Sequence, residues 1–186
     1  MLMRANRPIV CCQYPRAEAV NAPLARAFDG LGEGDFASRS HFIDGRFENL
    51  YLDAGQLPGV ADILAFAVEQ ARSWLSSAQA TWLEEPIAAQ QPLRAGFWVN
   101  AMQPGQATSR HAHEECDELA SGVYYVSTPE AAGDILFHDG PFETRLRPWP
   151  GLLLLFDPAL EHSVERNRGT ARRLSIAFNI GPSQSS

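Results

Sequence analysis

Cysteine is scarce in this sequence, with three residues among 186. Two of them, Cys11 and Cys12, are adjacent, so the set cannot form the disulfide framework of a small secreted protein. The third, Cys116, lies within a cluster of histidine and acidic residues, where it is a soft metal ligand, a reactive thiol or a half-buried spectator. The cysteine content therefore excludes a disulfide scaffold.

Long apolar runs and an excess of basic residues are also missing. The N-terminus has no apolar core followed by a small-residue cleavage site, and no later window approaches the length of a membrane span. The net charge of −7 offers no basic surface for nucleic acid or an anionic membrane. We therefore expect a cytoplasmic protein whose partners include neither nucleic acid nor a membrane.

The overall composition is that of an ordinary globular protein, at 45% apolar and 20% charged residues. A chain of 186 residues can bury one sizeable core but hardly two. We predict a single domain over residues 1–186. Within it, residues 1–94 form helical and irregular support, residues 95–180 a jelly-roll core, and residues 181–186 a frayed tail.

The first half of the chain predicts helix more clearly than strand. Apolar residues in Pro58–Leu75 recur at three- and four-residue steps, which is the period of an amphipathic helix. Residues 1–57 predict one short helix around Pro23–Phe28 and an irregular or edge-strand piece around Phe42–Leu52. His41 stands alone here, as a surface or structural histidine usually does.

The second half changes to short strand-like runs separated by Gly, Pro and Asp turns. Regularly spaced short strands predict a sandwich or barrel, so we expect a mainly β jelly roll supported by N-terminal helices. The predicted strands are Ala95–Gln103, Ser121–Ser127, Asp134–His138, Glu143–Arg147, Gly151–Phe156, His162–Arg166 and Arg172–Ile180.

A cluster of possible metal ligands precedes the second of these strands. Residues 111–118 contain two histidines and four acidic side chains. In an extended backbone, side chains two residues apart share a face, so His111, His113, Glu115 and Asp117 could point into one cavity. Imidazole and carboxylate groups suit a divalent transition metal, whereas the structural alternative is a solvated acidic loop.

His162 could complete such a site. The continuous apolar run Gly151–Phe156 predicts a buried strand, the pair Asp157-Pro158 ends it, and His162 opens the next strand. A histidine at the mouth of a barrel strand can reach ligands from residues 111–115. Taken singly, it is more often structural.

A third element lies near the C-terminus, where strict alternation puts Arg173, Ser175 and Asn179 on one face and apolar residues on the other. If both faces are covered, Arg173 lies inside the barrel, and a buried guanidinium without an anion is very costly. A ligand carboxylate held by Arg173 and Ser175 would meet that need. The alternative partner is a protein acid such as Asp134 or Asp139.

These elements, in this order and spacing, closely resemble the iron(II)/2-oxoglutarate-dependent oxygenase superfamily, in particular its small, mostly uncharacterised bacterial and phage branch. The resemblance covers about residues 95–180 and leaves the first half unmatched. A lone His-x-His motif is weak, but the ordered set is specific. Its members are Trp98-Val99-Asn100, Pro104-Gly105, His111-Ala112-His113, Ser121-Gly122-Val123-Tyr124-Tyr125, Gly151–Phe156, His162-Ser163-Val164 and Arg173–Asn179.

The resemblance implies a double-stranded β-helix that holds iron(II) with two histidines and a third ligand. It also implies 2-oxoglutarate as co-substrate, dioxygen as oxidant and hydroxylation of a substrate carbon. Carried over by position, His162 is the distal histidine, and Arg173 with Ser175 binds the far carboxylate of 2-oxoglutarate. Tyr124 or Tyr125 adds a hydroxyl group.

The sequence departs from the family pattern at the proximal ligands. Counting six residues from Gly105 selects His111 and puts His113 where an acid usually stands. Counting back eight residues from the Ser-Gly-Val-Tyr-Tyr motif selects His113 instead and makes Glu115 the acid. We favour His111, His113 and His162 as the triad, with Glu115 as the alternative third ligand.

The substrate is less defined than the cofactors. Trp98, Asn100 and Asn179 are expected to line its pocket, and a small molecule or a peptide both fit the sequence. His138 and Asp139 either line the entrance or belong to a hairpin turn at Asp139-Gly140. A homodimer is one of the oligomeric states that the sequence allows.

Two other readings use the same barrel. A cupin-type metalloprotein without 2-oxoglutarate fits the spacing of Gly105, His111 and His113, but it leaves Arg173 without a role. Cupins also place their last histidine about three residues after a glycine, whereas Gly151 precedes His162 by eleven. A metal-free binding protein is the other reading.

Overall fold

The computed structural model describes residues 7–43, 45–113 and 117–183. Over this part of the chain, strands predominate and two α-helices lie in the N-terminal half. The elements are β1 (Val10–Gln13), α1 (Ala17–Asp29), a 3-10 turn (Glu33–Asp35), β2 (Ser38–Ile43), β3 (Arg46–Tyr51), a 3-10 turn (Ala54–Gln56), α2 (Val60–Leu75), β4 (Leu93–Met102), β5 (Thr108–His111), β6 (Ala120–Ser127), β7 (Ile135–Asp139), β8 (Phe142–Leu146), β9 (Leu152–Phe156), β10 (Glu161–Val164) and β11 (Arg173–Pro182).

The strands form two antiparallel sheets. The major sheet has the order β1-β9-β6-β11-β4-β3-β2, and the minor sheet has the order β5-β10-β7-β8. Apolar side chains from both sheets pack into one cluster, with Val123 and Tyr125 from β6 against Ile135 and Phe137 from β7. The two sheets therefore face each other across a shared interior, as in a jelly roll.

The helices cover the other face of the major sheet. Successive side chains of a strand point to opposite faces, so Tyr124 and Val126 turn toward the helices while their neighbours turn toward the interior. α1 packs on β6, and α2 packs on β4 and β6. The apolar face of α2 is fully covered, with Val60, Ile63 and Ala67 each 0% exposed. The larger core thus lies between helices and sheet, and it keeps the major sheet rigid behind the interior cavity.

The mainly β class, the seven predicted strands and the helix after Pro58 are confirmed, with strand ends shifted by at most two residues. The first half differs from prediction. The short helix is α1, which runs over Ala17–Asp29. β1 pairs with β9, and β3 pairs with β4. Residues 1–94 therefore contribute strands to the major sheet as well as support.

Two further differences concern strand ends. β11 continues to Pro182, into the expected tail, because Gly181 and Pro182 pair with Arg94 and Leu93 of β4. β5 was not predicted as a strand. It is an edge strand, and its pairing with β10 is irregular, with register pairs only at His162 with His111 and Val164 with Thr108.

None of the helices in the described ranges is both long and apolar enough to cross a membrane.

Candidate metal centre and anion pocket

Three histidines meet at one end of the interior cavity. His111 ends β5 and lies opposite His162 of β10 in the strand register, and His113 follows two residues after β5. The imidazole centroids are 4.3 Å apart for His111 and His162, 5.0 Å for His111 and His113, and 5.1 Å for His113 and His162. One nitrogen from each ring lies within 4.8 Å of the others. This spacing allows all three rings to bind one ion.

Hydrogen bonds to backbone carbonyls set the tautomers of two of these rings. Nδ1 of His111 donates to the carbonyl of Ser109 at 2.9 Å, and Nδ1 of His162 donates to the carbonyl of Leu160 at 3.1 Å. A carbonyl can only accept, so Nδ1 carries the proton and Nε2 keeps a free lone pair. Carbonyl-held imidazoles of this kind are typical metal ligands.

The surroundings also keep the imidazoles neutral. Burial, helped by the neighbouring histidines, lowers the pKa of His162 from 6.5 to about 3 and the pKa of His113 from 6.5 to about 4. Only a neutral imidazole can bind a metal, so both rings are ready as ligands at neutral pH without losing a proton first.

Arg173 lies in the same cavity as the triad and is 3% exposed. Its Nη1 donates to the carbonyl of Gly133 at 2.8 Å, and its guanidinium carbon stands 5.0 Å from the centroid of the Tyr125 ring. Burial lowers the pKa of Arg173, and Tyr125 and Asp134 partly offset that effect. No carboxylate of the described chain lies within ion-pair distance of it. The two acids considered from the sequence bind elsewhere, Asp134 to Arg145 at 3.6 Å and Asp139 to Arg7 at 3.6 Å.

The side chains of the adjacent residues Tyr124 and Tyr125 point to opposite faces of β6. Tyr125 lines the cavity, and its buried hydroxyl lies beside the Arg173 guanidinium. Tyr124 points to the helix side, where its hydroxyl donates to Oδ1 of Asn21 at 2.6 Å. The pleat of β6 directs Tyr124 to the opposite face, so of the two predicted alternatives only Tyr125 lies beside Arg173. Ser175 also lines the cavity and pairs in register with Asn100 of β4.

The three residues predicted to line the substrate pocket lie around the triad. Trp98 and Asn100 line the interior cavity, and the Trp98 ring is 5.4 Å from the ring of His113. Asn100 also donates to the carbonyl of Glu48 at 2.5 Å, which attaches β4 to β3. Asn179 lies in an adjacent outer cleft with Trp98 and His113 and accepts a hydrogen bond from Ser121 at 2.8 Å.

The sequence reading missed a charged pair in the cavity wall. Glu48, 5% exposed, lines the cavity and accepts from Arg46 at 3.0 Å. Arg46 also donates to the carbonyl of Ala107 at 3.1 Å and to the hydroxyl of Thr108 at 3.3 Å, at the start of β5. The available signal was the Arg-x-Glu spacing in a half-apolar run, which puts both side chains on one face of a strand.

His41 lies closer to the site than its isolation in the sequence suggested. It lines the outer cleft, its backbone has a φ of 56°, and its Nδ1 is bonded to Ser40 at 2.9 Å and to Asn49 at 3.1 Å. Left-handed backbone is uncommon for a non-glycine residue. The pairing of β2 with β3 brings His41 close to the triad. The sequence around His41 does not predict this position.

Other candidates do not join the cavity. Asp117 binds Arg94 at 2.5 Å, so it does not join His111 and His113 as the predicted row required. Nε2 of His138 is bonded to Ser163 at 2.9 Å, and Asp139 ends β7 at the hairpin before β8. The alternative ligand Glu115, together with Cys116, lies outside the described residues.

Comparison with known proteins agrees with this geometry. Residues 96–147 match the family model described as “Putative 2OG-Fe(II) oxygenase”. The matched segment contains His111 and His113, and it leaves His162 and Arg173 to be placed by the structure. No curated protein sequence matches the chain significantly.

Several solved structures share the fold. A prolyl-4-hydroxylase from Pseudomonas putida is 20% identical, with a TM-score of 0.64, 93% of this chain and 92% of that chain covered. A prolyl hydroxylase from Trichoplax adhaerens, solved with a hypoxia inducible factor peptide, is 12% identical, with a TM-score of 0.64 and coverages of 94% and 84%. The carbocyclase SnoK from nogalamycin biosynthesis is 11% identical, with a TM-score of 0.64 and coverages of 94% and 79%.

The resemblance to the 2-oxoglutarate- and iron(II)-dependent oxygenases that the sequence motifs indicated is thus confirmed, by a family model inside the barrel and by a shared jelly-roll fold. Three convergent imidazoles form a donor set that suits iron(II). The family model and the histidine triad together imply iron(II) and 2-oxoglutarate as cofactors.

Proposed function

We propose that this protein is an iron(II)- and 2-oxoglutarate-dependent oxygenase that hydroxylates a carbon of a small molecule or a peptide. One observation carries the proposal: three convergent histidines and a buried arginine that has no carboxylate partner in the described chain line the same cavity. Neither the histidine triad nor Arg173 serves as a structural partner of the other.

The histidine half of the site fits a metal. His111, His113 and His162 would hold iron(II) through ring nitrogen lone pairs. Carbonyl hydrogen bonds leave Nε2 free in His111 and His162, and burial lowers the pKa of His113 and of His162. Three protein ligands would leave further positions on the ion for a co-substrate and dioxygen.

The arginine half fits a carboxylate. Arg173 offers a fixed pair of N–H donors, and Ser175 lies two residues along the same face. The buried Tyr125 hydroxyl beside Arg173 would supply a further donor. A dicarboxylic acid such as 2-oxoglutarate would bind the metal through one end and this donor set through the other.

When bound, iron(II) and 2-oxoglutarate would supply the oxidation, in which 2-oxoglutarate and dioxygen yield succinate and carbon dioxide and one oxygen atom enters a substrate C–H bond. The protein contributes position and exclusion of water. Trp98, Asn100 and Asn179 would contact the substrate. The named activities of the similar structures include hydroxylation and ring formation, and hydroxylation is the outcome that we propose here.

The direct test is anaerobic addition of iron(II) and 2-oxoglutarate to the purified protein, followed by visible absorption. We expect a weak charge-transfer band that saturates with both components. Arg173→Gln should need much more 2-oxoglutarate to reach the same band. Its neighbour provides a matched control: Arg172 binds Asp29 at 2.7 Å and stacks on Phe28, so Arg172→Gln should titrate like the wild type.

The competing readings predict different results. A metalloprotein without 2-oxoglutarate would bind the metal, show no such band and respond equally to both arginine variants. A metal-free binding protein would retain no iron(II). A wild-type protein that binds the metal but gives no band at saturating 2-oxoglutarate would contradict the proposal.

A further inference from the structure

The turn between β9 and β10 contacts two of the three histidines. The backbone N–H of His113 donates to the carbonyl of Pro158 at 2.9 Å, and Nδ1 of His162 donates to the carbonyl of Leu160 at 3.1 Å. One short turn, Asp157–Leu160, therefore orients a ligand from the minor sheet and a ligand from the segment after β5.

A buried carboxylate organises this turn. Oδ1 of Asp157 accepts from the N–H of Ala159 at 2.9 Å, and its carbonyl accepts from the N–H of Leu160 at 2.9 Å. The Asp157 side chain is only 4% exposed. A buried carboxylate is tolerated when hydrogen bonds and an opposite charge compensate for the lost water.

That opposite charge comes from Arg7, far away in the sequence. Nη1 of Arg7 donates to Oδ2 of Asp157 at 2.6 Å. The backbone N–H of Arg7 donates to Asp139 at 2.8 Å, and its Nε lies 3.6 Å from the same carboxylate. Since Asp139 ends β7, the neighbour of β10 in the minor sheet, Arg7 links the N-terminal segment to both the strand end and the turn.

We propose that Arg7 is a positioning residue for the metal centre, because its ion pairs with Asp157 and Asp139 hold the turn whose carbonyls orient His113 and His162. The inference rests on the proposed metal site. It assigns a role to a segment outside the region that resembles the oxygenase motifs.

The physical consequence follows from the chain of contacts. Without Arg7, the buried Asp157 carboxylate loses its cation and draws water or rearranges, and the carbonyls of Pro158 and Leu160 move with it. The imidazoles would then have to be ordered by the metal itself. Loss of outer hydrogen-bond partners of metal ligands typically lowers metal affinity by about 10- to 100-fold.

The test measures binding of cobalt(II), whose visible d–d bands report ligand geometry independently of activity. We expect Arg7→Gln and Asp157→Asn each to weaken cobalt(II) binding by about tenfold and to change the d–d spectrum. Asn keeps the acceptor for Ala159, but it removes the charge and replaces the acceptor for Arg7 with an NH2 donor. Arg7→Lys should recover part of the affinity, since it restores a cation with fewer donors.

The matched control is Arg16→Gln, which removes an arginine that binds Asp62 at 3.0 Å on the surface. It should leave both affinity and spectrum unchanged. The thermal midpoint of each metal-free variant is measured in parallel, and affinities are compared below it. If Arg7→Gln does not fold, the isosteric Asp157→Asn decides the question.

The outcomes are distinct. Wild-type affinity and spectrum in folded Asp157→Asn and Arg7→Gln would overturn the positioning role, even if their thermal midpoints fall, and would leave the metal site intact. A wild-type protein that fails to bind cobalt(II) would overturn the proposed function together with this inference.

Discussion

Burial lowers pKa values at both ends of the interior cavity but leaves the two ends with different charges. At the histidine end, burial lowers the pKa of His113 to about 4 and of His162 to about 3, so both groups shed their charge at neutral pH. At the arginine end, burial also lowers the pKa of Arg173, but a guanidinium stays protonated in any protein near neutral pH. The same desolvation thus yields neutral donors at one end and a persistent cation at the other.

This difference explains why the ends suit different ligands. Neutral nitrogen lone pairs attract a metal cation, whereas a buried cation with one carbonyl partner attracts an anion. A ligand with a chelating group and a distant carboxylate would satisfy both ends at once. The following experiments separate the two ends, from the largest expected effect to the smallest.

Removal of one ligand should abolish the histidine end alone. We expect His162→Ala to weaken cobalt(II) binding at least about 100-fold, because two imidazoles cannot replace the convergent set of three. Cobalt(II) titration followed by visible absorption measures this. His138→Ala is the control, since His138 is bonded to Ser163 outside the triad. Equal loss in both variants would show that general destabilisation, not ligation, is responsible.

Neutralisation of the arginine end should separate binding from stability. Arg173→Met removes donors worth about 1.5–3 kcal/mol each to an anion, so 2-oxoglutarate affinity should fall about 100-fold. The metal-free protein should be unchanged or up to about 1 kcal/mol more stable, because an uncompensated buried charge disappears. Urea unfolding measures the second effect. A loss of more than about 2 kcal/mol would mean that Arg173 is structural.

The histidine end should also make stability depend on pH. Both folded pKa values lie below the ordinary value of 6.5, so the unfolded chain binds more protons as pH falls. The metal-free protein should therefore lose about 2 kcal/mol between pH 6.5 and 5.5, with further loss down to about pH 4. Urea unfolding across this range measures the slope. His113→Ala should reduce it by about half, and an unchanged slope would contradict the assignment.

The adjacent tyrosines offer the smallest and most closely matched contrast. Tyr124→Phe breaks the hydrogen bond to Asn21 and should cost about 1 kcal/mol of stability without affecting 2-oxoglutarate. Tyr125→Phe removes a buried hydroxyl beside Arg173, so it should cost less stability than Tyr124→Phe and weaken 2-oxoglutarate binding by about fivefold. Denaturation curves and ligand titrations on both variants test this. Identical behaviour would refute the division of the two faces.

Much of the barrel could be predicted because its signals are local. Turn residues and short apolar runs located seven strands, and alternation placed Arg173 and Ser175 on the interior face. The same alternation, applied to β6, would have separated Tyr124 from Tyr125. The order of the family motifs predicted the rest of the site, because no local sequence pattern connects His113 to His162.

The missed features depend on contacts between distant segments. β1 is a strand because β9 offers it an open edge, and Arg7 is ordered by Asp157 and Asp139, which lie 150 and 132 positions away. Glu48 and His41 approach the triad only through the pairing of β2, β3 and β4. The periodicity of one short sequence segment does not predict contacts between segments that are distant in the sequence.

Because His111 lies on an irregularly paired edge strand, a bound ion would also stabilise that strand. β5 has one neighbour and two register pairs, so it is the section of the minor sheet that frays first. A metal shared by His111 and His162 would act as a cross-link between β5 and β10. Amide hydrogen exchange in Thr108–His111 should consequently slow on metal loading far more than exchange in the central strand β11.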